Sequence, residues 1–403
     1  MFQLLLAIIY LAFISLGLPD ALLGSAWPIM YQEFCVPVSY MGIISMIIAA
    51  GTVVSSLMSD RLTKKLGTGK VTALSVLLTA IALFGFSISS SMWMLCLWAI
   101  PYGLGAGSVD AALNNYVALH YASRHMSWLH CMWGVGASVG PSIMGFALSH
   151  GQTWNAGYRY IAILQIVLTI VIFASLPLWK KSPTDSGESD ADTGKVLSLR
   201  EIIRLAGAKE IMIAFFCYSV IEQTTGQWGS SYLVLHKGLS EDTAATFAGL
   251  FYIGITIGRA LSGFITMKLN DTQMIRLGEA IVLLGCIALI LPLGPTVSLC
   301  GFILVGLGCA PIYPSIIHST PANFGADKSQ AVIGVQMAAA YVGTTLMPPL
   351  FGIIANNISI ALLPVYVFAA LLLMFVMYER VVKKCSNSGL PRSDLISNRR
   401  YQI

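Results

Sequence analysis

Three acids and a group of amides and aromatic residues lie inside stretches too apolar for a water-soluble chain. In GLGAGSVDAALNNYV, Gly103 to Val117, Asp110 and Asn114 stand four residues apart and share one helical face, with Asn115 beside them. Asp20 and Glu222 occupy the central part of two other apolar runs. A carboxylate near the middle of a bilayer costs about 2.5 to 3.5 kcal/mol on insertion scales, so a chain that keeps one usually lines a cavity or proton relay with it. A desolvated carboxyl takes up a proton and releases it when water returns, which is what a proton carrier needs. Asp20, Asp110 and Glu222 are therefore the expected proton-coupling groups. The competing reading for each is an interhelical hydrogen-bonded acid with no such role.

A neutral polyol is recognised by amides and acids that meet its hydroxyls and by aromatic faces that meet its C–H surface. Asn114, Asn115, His130, Trp133, Gln223, Gln227, Trp228, Tyr313 and Gln336 supply that set and are the expected substrate-binding residues. Other readings stand beside these. Asn115 and Gln336 also fit interhelical glue, His130 a packed histidine, and Trp133 a lipid-facing ring. Pro311 and Pro314 are expected to break their span near Tyr313 and free backbone carbonyls, and His318 to mark the membrane surface. No nucleotide-binding loop, HExxH pair or nucleophile elbow occurs, so neither an enzyme nor a metal or other cofactor is expected.

The elements that must carry these residues are membrane spans. Of 403 residues 56% are hydrophobic and only 10% charged, with mean hydropathy +0.77, against roughly 25% charge in soluble domains. Twelve apolar runs emerge, near 2–32, 39–59, 69–89, 92–119, 127–149, 158–179, 210–235, 243–266, 277–294, 297–318, 329–355 and 358–380. The first lacks the basic start and cleavage site of a signal peptide and reads as a retained span. Placing both termini inside leaves only Arg159 and Lys237 on the outer side, with Arg259 in the inner part of its span. The positive-inside rule thus predicts cytoplasmic termini, and the net charge of +5 reports topology and lipid contact rather than nucleic-acid binding. The cysteines imply no disulfide framework.

A polar gap divides the twelve runs into two sixes. Residues 1–179 form the expected N-terminal six-helix bundle, 180–208 a cytoplasmic linker ending in a short surface helix, 209–384 the C-terminal bundle and 385–403 a cytoplasmic tail. The halves echo each other. Gly103 recurs as Gly306, 306 − 103 = 203, and Ala137 as Ala340, 340 − 137 = 203. Asp20 answers Glu222 at nearly the same offset, 222 − 20 = 202. Parallel six-helix repeats are a transporter architecture with the site near the midplane.

SLMSDRLTKKLGTGKV, Ser56 to Val71, resembles the signature loop between the second and third spans of the major facilitator superfamily. Asp60 followed by Arg61 could latch neighbouring helices in one conformation, and Arg259 in the corresponding GRALSGFITMK is the expected counterpart, although Gly263 replaces the acid there. Within that superfamily the chain most resembles the fucose permease-like sugar:proton symporters. Their first-span Asp precedes a Leu-Leu pair, as Asp20 precedes Leu22 and Leu23, and their fourth-span acid precedes an Asn by four, as Asp110 precedes Asn114. The family's fourth-span acid is typically Glu, and its fifth-span Gln and Asn give way to SWLHCMWGVGA, with His130 and Trp133 nearest.

The resemblance implies an all-α membrane protein of twelve transmembrane helices in two pseudo-symmetric six-helix bundles. It implies proton-coupled import of a small neutral sugar or related polyol by alternating access, with protons and membrane lipid as partners, by a monomer in the inner (plasma) membrane. The small-residue run GVGASVGPSIMG, Gly134 to Gly145, lets its helix press closely on a neighbour. Similar motifs accompany drug antiporters, so the alternative is a proton-driven exporter of drugs or hydrophobic metabolites.

Overall fold

The computed structural model describes residues 2–20, 22–37, 40–179, 197–239 and 241–387. It is helical almost throughout: α1 (Phe2–Gly17), α2 (Leu22–Glu33), α3 (Met41–Leu66), α4 (Thr68–Ser87), α5 (Met92–His120), α6 (Ser123–Ser149), α7 (Trp154–Trp179), α8 (Leu199–Arg204), α9 (Ala208–Leu235), α10 (Glu241–Ile265), α11 (Asp271–Ile290), α12 (Pro295–Phe324), α13 (Ala326–Asn357) and α14 (Leu363–Asn387). With α1 and α2 taken as one broken span and the surface helix α8 set aside, these follow the twelve expected runs in order. Ten of the described helices are long and apolar enough to cross a membrane. In α9 the polar run Glu222, Gln223, Thr224, Thr225 and Gln227 dilutes the apolar character.

Two expectations about helix continuity change. The first run is not one helix, because Pro19 has no N–H and its ring excludes a continued helical path, so α1 ends at Gly17. Conversely, Pro311 and Pro314 do not interrupt α12, which runs through both. Its inner face is packed on α10 and α11, where Gly306 and Gly308 meet their backbones. Neighbouring helices hold the path that the missing N–H groups would otherwise release. Ahead of α9, α8 opens on a capping box in which Ser198 and Glu201 satisfy each other's backbone N–H groups.

The chain divides into two compact units. The first comprises Met1–Tyr116 and Met132–Val196, the second Val117–Cys131 and Leu197–Ile403. The second unit thus includes the turn joining α5 to α6. The described part of the expected linker is confined to its end, since 180–196 and 388–403 lie outside the described residues.

In the first unit α1 and α6 meet through glycines. A Cβ on Gly136 would strike the carbonyl of Ile14, and one on Gly140 that of Leu18. This is the close approach that small residues permit, and backbone atoms cannot step aside. Gly140→Ala is expected to lower the thermal unfolding midpoint in detergent, with overpacking costing about 1–3 kcal/mol. Gly145→Ala, whose added methyl meets nothing within 4 Å, should leave the midpoint unchanged.

Candidate functional site

In the first unit the Pro19 break places an acid on irregular backbone. Turn bonds close the gap, Asp20 N–H to Gly17 O at 3.2 Å and Leu22 N–H to Pro19 O at 3.1 Å. Asp20 is exposed at this bend. Trp133 Nε1 on α6 donates to its Oδ2 at 2.8 Å, and the Tyr102 hydroxyl on α5 donates to its Oδ1 at 3.3 Å. Both donors are neutral, so neither leaves an uncompensated charge when the acid gains a proton. Tyr102 is itself braced by Phe86, whose ring stacks on Tyr158 with centroids 5.3 Å apart.

One helix supplies the next acid. Asn114 Nδ2 donates to Asp110 Oδ1 at 2.8 Å and to the Asp110 carbonyl at 3.0 Å, the four-residue pairing that the spacing predicts. Asn114 and Asn115 are buried and Asp110 half-buried. Asp110 lies close enough to act electrostatically on Asp20. Gly103 and Gly107 bring α5 against the backbone of α3, where the Ser56 hydroxyl donates to Gly107 O at 3.3 Å. That packing fixes the height of Asp110 in the unit.

The second unit holds a different arrangement. Arg259 Nη2 on α10 meets Glu222 Oε1 on α9 at 3.2 Å and donates to the Tyr218 hydroxyl at 3.5 Å. Arg259 is 3% exposed, so the pair is desolvated and hard to dissolve. Beside it the Tyr313 ring sits 4.4 Å from His130, 4.7 Å from Phe215 and 5.6 Å from Tyr218, centroid to centroid. The Arg259 charge acts on both His130 and Tyr313. An ion pair walled by aromatic rings can present charge-assisted hydrogen bonds and an apolar face to one ligand.

Two other expected residues, Trp228 and Gln336, make interhelical packing contacts. Trp228 Nε1 donates to Pro348 O at 2.9 Å and its ring lies on Gly352 and Phe351, tying α9 to α13. Gln336 is fully buried and accepts from the Thr320 hydroxyl at 3.1 Å, which is the interhelical-glue arrangement. Gln223 is half-buried and Gln227 exposed on α9. Asp60 pairs with Lys64 on its own helix at 3.1 Å, and Arg61 is exposed. Arg259, the expected latch counterpart, pairs with Glu222.

A cross-helix polar lock lies elsewhere in the second unit. His318 Nδ1 meets Asp271 Oδ2 at 2.7 Å, its Nε2 meets Tyr121 O at 3.1 Å, and the Ser123 hydroxyl donates to Asp271 Oδ1 at 2.5 Å. The turn between α5 and α6 is thereby tied to α11 and α12. Sequence reasoning missed this lock, and also Tyr102, Tyr218 and Phe215. A signal existed for Tyr218, one turn before Glu222 on the same face. Nothing local marked Tyr102 or Asp271, whose partners come from distant helices. Among the described residues no group of three His, Cys, Asp or Glu side chains could hold a metal ion.

The profile of the Major Facilitator Superfamily matches residues 9–348. The chain is 23% identical over 405 aligned residues to bypass of stop codon protein 6 of Saccharomyces cerevisiae, covering 92% of this chain and 81% of that protein. It is 22% identical to the glucose/mannose transporter GlcP of Bacillus subtilis, covering 88% of each. Among solved structures, FucP in its outward conformation superposes with TM-score 0.77 at 17% identity, over 93% of this chain and 98% of that one.

Proposed function

We propose, from the premise that this chain belongs to the Major Facilitator Superfamily, that it imports a small neutral sugar or related polyol together with a proton. Family membership makes it an integral membrane transporter and not an enzyme. The sugar and proton parts of the reading rest on the side chains. The observation that carries them is the Asp20 carboxyl, set at a helix break and held by the indole of Trp133 and the hydroxyl of Tyr102. It can gain and lose a proton without stranding a partner charge, and an acid beside an indole is a fitting contact for a sugar. Asp110 with Asn114 extends the polar surface on α5. Glu222 is paired with Arg259, and the nearby guanidinium favours its ionised form. The pair is neutral as a whole, which favours an uncharged substrate. That GlcP is a glucose/mannose transporter agrees with this reading. The same proposal includes the inner (plasma) membrane, a monomeric state and cytoplasmic termini, the last supported by the distribution of Lys and Arg.

The test is a thermal-shift screen of monosaccharides against hydrophobic cations on the purified chain. A sugar at one hundred times its dissociation constant is expected to stabilise by about 2.7 kcal/mol, with no effect of the cations. Stabilisation by cations alone would replace the sugar reading with the exporter.

A further inference from the structure

A further acid lies within the membrane-spanning part of the second unit. Glu279 on α11 is 5% exposed, and neither of its carboxyl oxygens has a hydrogen-bond partner among the described residues. The charged and titratable groups that act on it are Arg276 on its own helix and Glu379 and Tyr378 on α14. From α12, the neighbouring Gly278 is met by Gly308 and Ile312, which bring no polar side chain. Arg276 is committed elsewhere, its Nε and Nη2 donating to the two Glu379 oxygens at 2.7 and 2.9 Å. The Tyr378 hydroxyl is turned to Thr272, to which it donates at 3.4 Å.

An ionised carboxylate so placed gives up its hydration with nothing in return, whereas the neutral acid gives up far less. Arg276 stands three residues before Glu279, the spacing at which side chains meet on one helix face. One guanidinium therefore has two acids within its range, and it serves the one on the other helix. Arg276 and Glu379 are both partly exposed, at 49% and 33% of their side chains, so the pair can exchange partners in contact with water.

We propose that Glu279 is a proton-binding site, and that its proton decides which acid Arg276 serves. With the proton on Glu279, Arg276 bridges α11 to α14 through Glu379. When the proton leaves to water, the Glu279 carboxylate takes Arg276, and Glu379 is left to the solvent. One proton is released and one guanidinium–carboxylate pair replaces another, so the cluster changes by a single negative charge. The bond between α11 and α14 opens with it. This site goes beyond the sugar:proton reading and does not depend on it, since Asp20 belongs to the other unit.

Infrared spectroscopy of the full chain in lipid vesicles tests it, with the glutamates carrying a heavy carboxyl carbon. The expected result at neutral pH is a protonated-carboxyl band that moves with the label and is missing in Glu279→Gln. It should also be missing in Glu379→Gln, where Arg276 is released to ionise Glu279, and return in the double variant Arg276→Gln/Glu379→Gln. Absence of any label-sensitive protonated band in the unsubstituted chain overturns the site and requires no variant to fold. A band that persists in Glu279→Gln overturns the assignment to this residue. Persistence in Glu379→Gln overturns the exchange of Arg276.

Discussion

Asp20→Asn is expected to abolish accumulation driven by a pH gradient while sparing exchange of substrate across the membrane. One proton falling through 100 mV supplies about 2.3 kcal/mol, enough for roughly 50-fold accumulation of a neutral solute. Without a carboxyl to carry it, the accumulation ratio should fall toward one. The substitution suits the site. An amide oxygen still accepts from Trp133 Nε1, and the amide N–H can donate to the Tyr102 hydroxyl oxygen in place of the bond that Tyr102 now donates to Oδ1. The break between α1 and α2 is set by Pro19 and is untouched. Loss of coupling is therefore separable from loss of fold, which counterflow in the same vesicles measures directly. Asp110→Asn should follow the same pattern, because Asn114 Nδ2 still finds an oxygen there. Accumulation at the unsubstituted level in both variants would refute carboxylate coupling.

Hydropathy located the spans because lipid demands it, and the helices follow the twelve runs in order. What it could not supply was the path of the chain at proline. Pro19 and Pro311 look alike in sequence, yet one ends a helix and the other does not, since α12 is enclosed by α10 and α11 while the bend at Asp20 is open. Pairings within a helix were legible: Asp110 with Asn114 follows from a spacing of four. Pairings between helices were not. Trp133 was expected at substrate and Asp20 at the proton, and nothing in their separation of more than a hundred residues tells that one holds the other. The motif marks Arg259 as a latch residue, and the packing of α9 on α10 adds Glu222 as a partner. Tyr102 and Asp271, which nothing local marks, owe these contacts to neighbours from distant helices.

The ion pair of the second unit sets up the other large effect, and its two halves should behave unequally. Removing one partner of a buried pair is worth about 3–5 kcal/mol, since the survivor is left without compensation. Arg259→Leu leaves Glu222, whose side chain is 13% exposed and can meet water or take a proton. Glu222→Leu leaves Arg259, 4% exposed by its side chain, and a guanidinium does not shed its charge. Glu222→Leu is accordingly expected to lower the unfolding midpoint more than Arg259→Leu. The double variant Glu222→Leu/Arg259→Leu should recover most of the loss, because two apolar side chains of sufficient bulk replace a desolvated pair at little net cost. Thermal unfolding of the four chains in one detergent decides it. If the double variant is as unstable as the sum of the singles, the two charges are not coupled. Strong recovery instead identifies Glu222 as a residue that keeps Arg259 tolerable beside the hydroxyl of Tyr218.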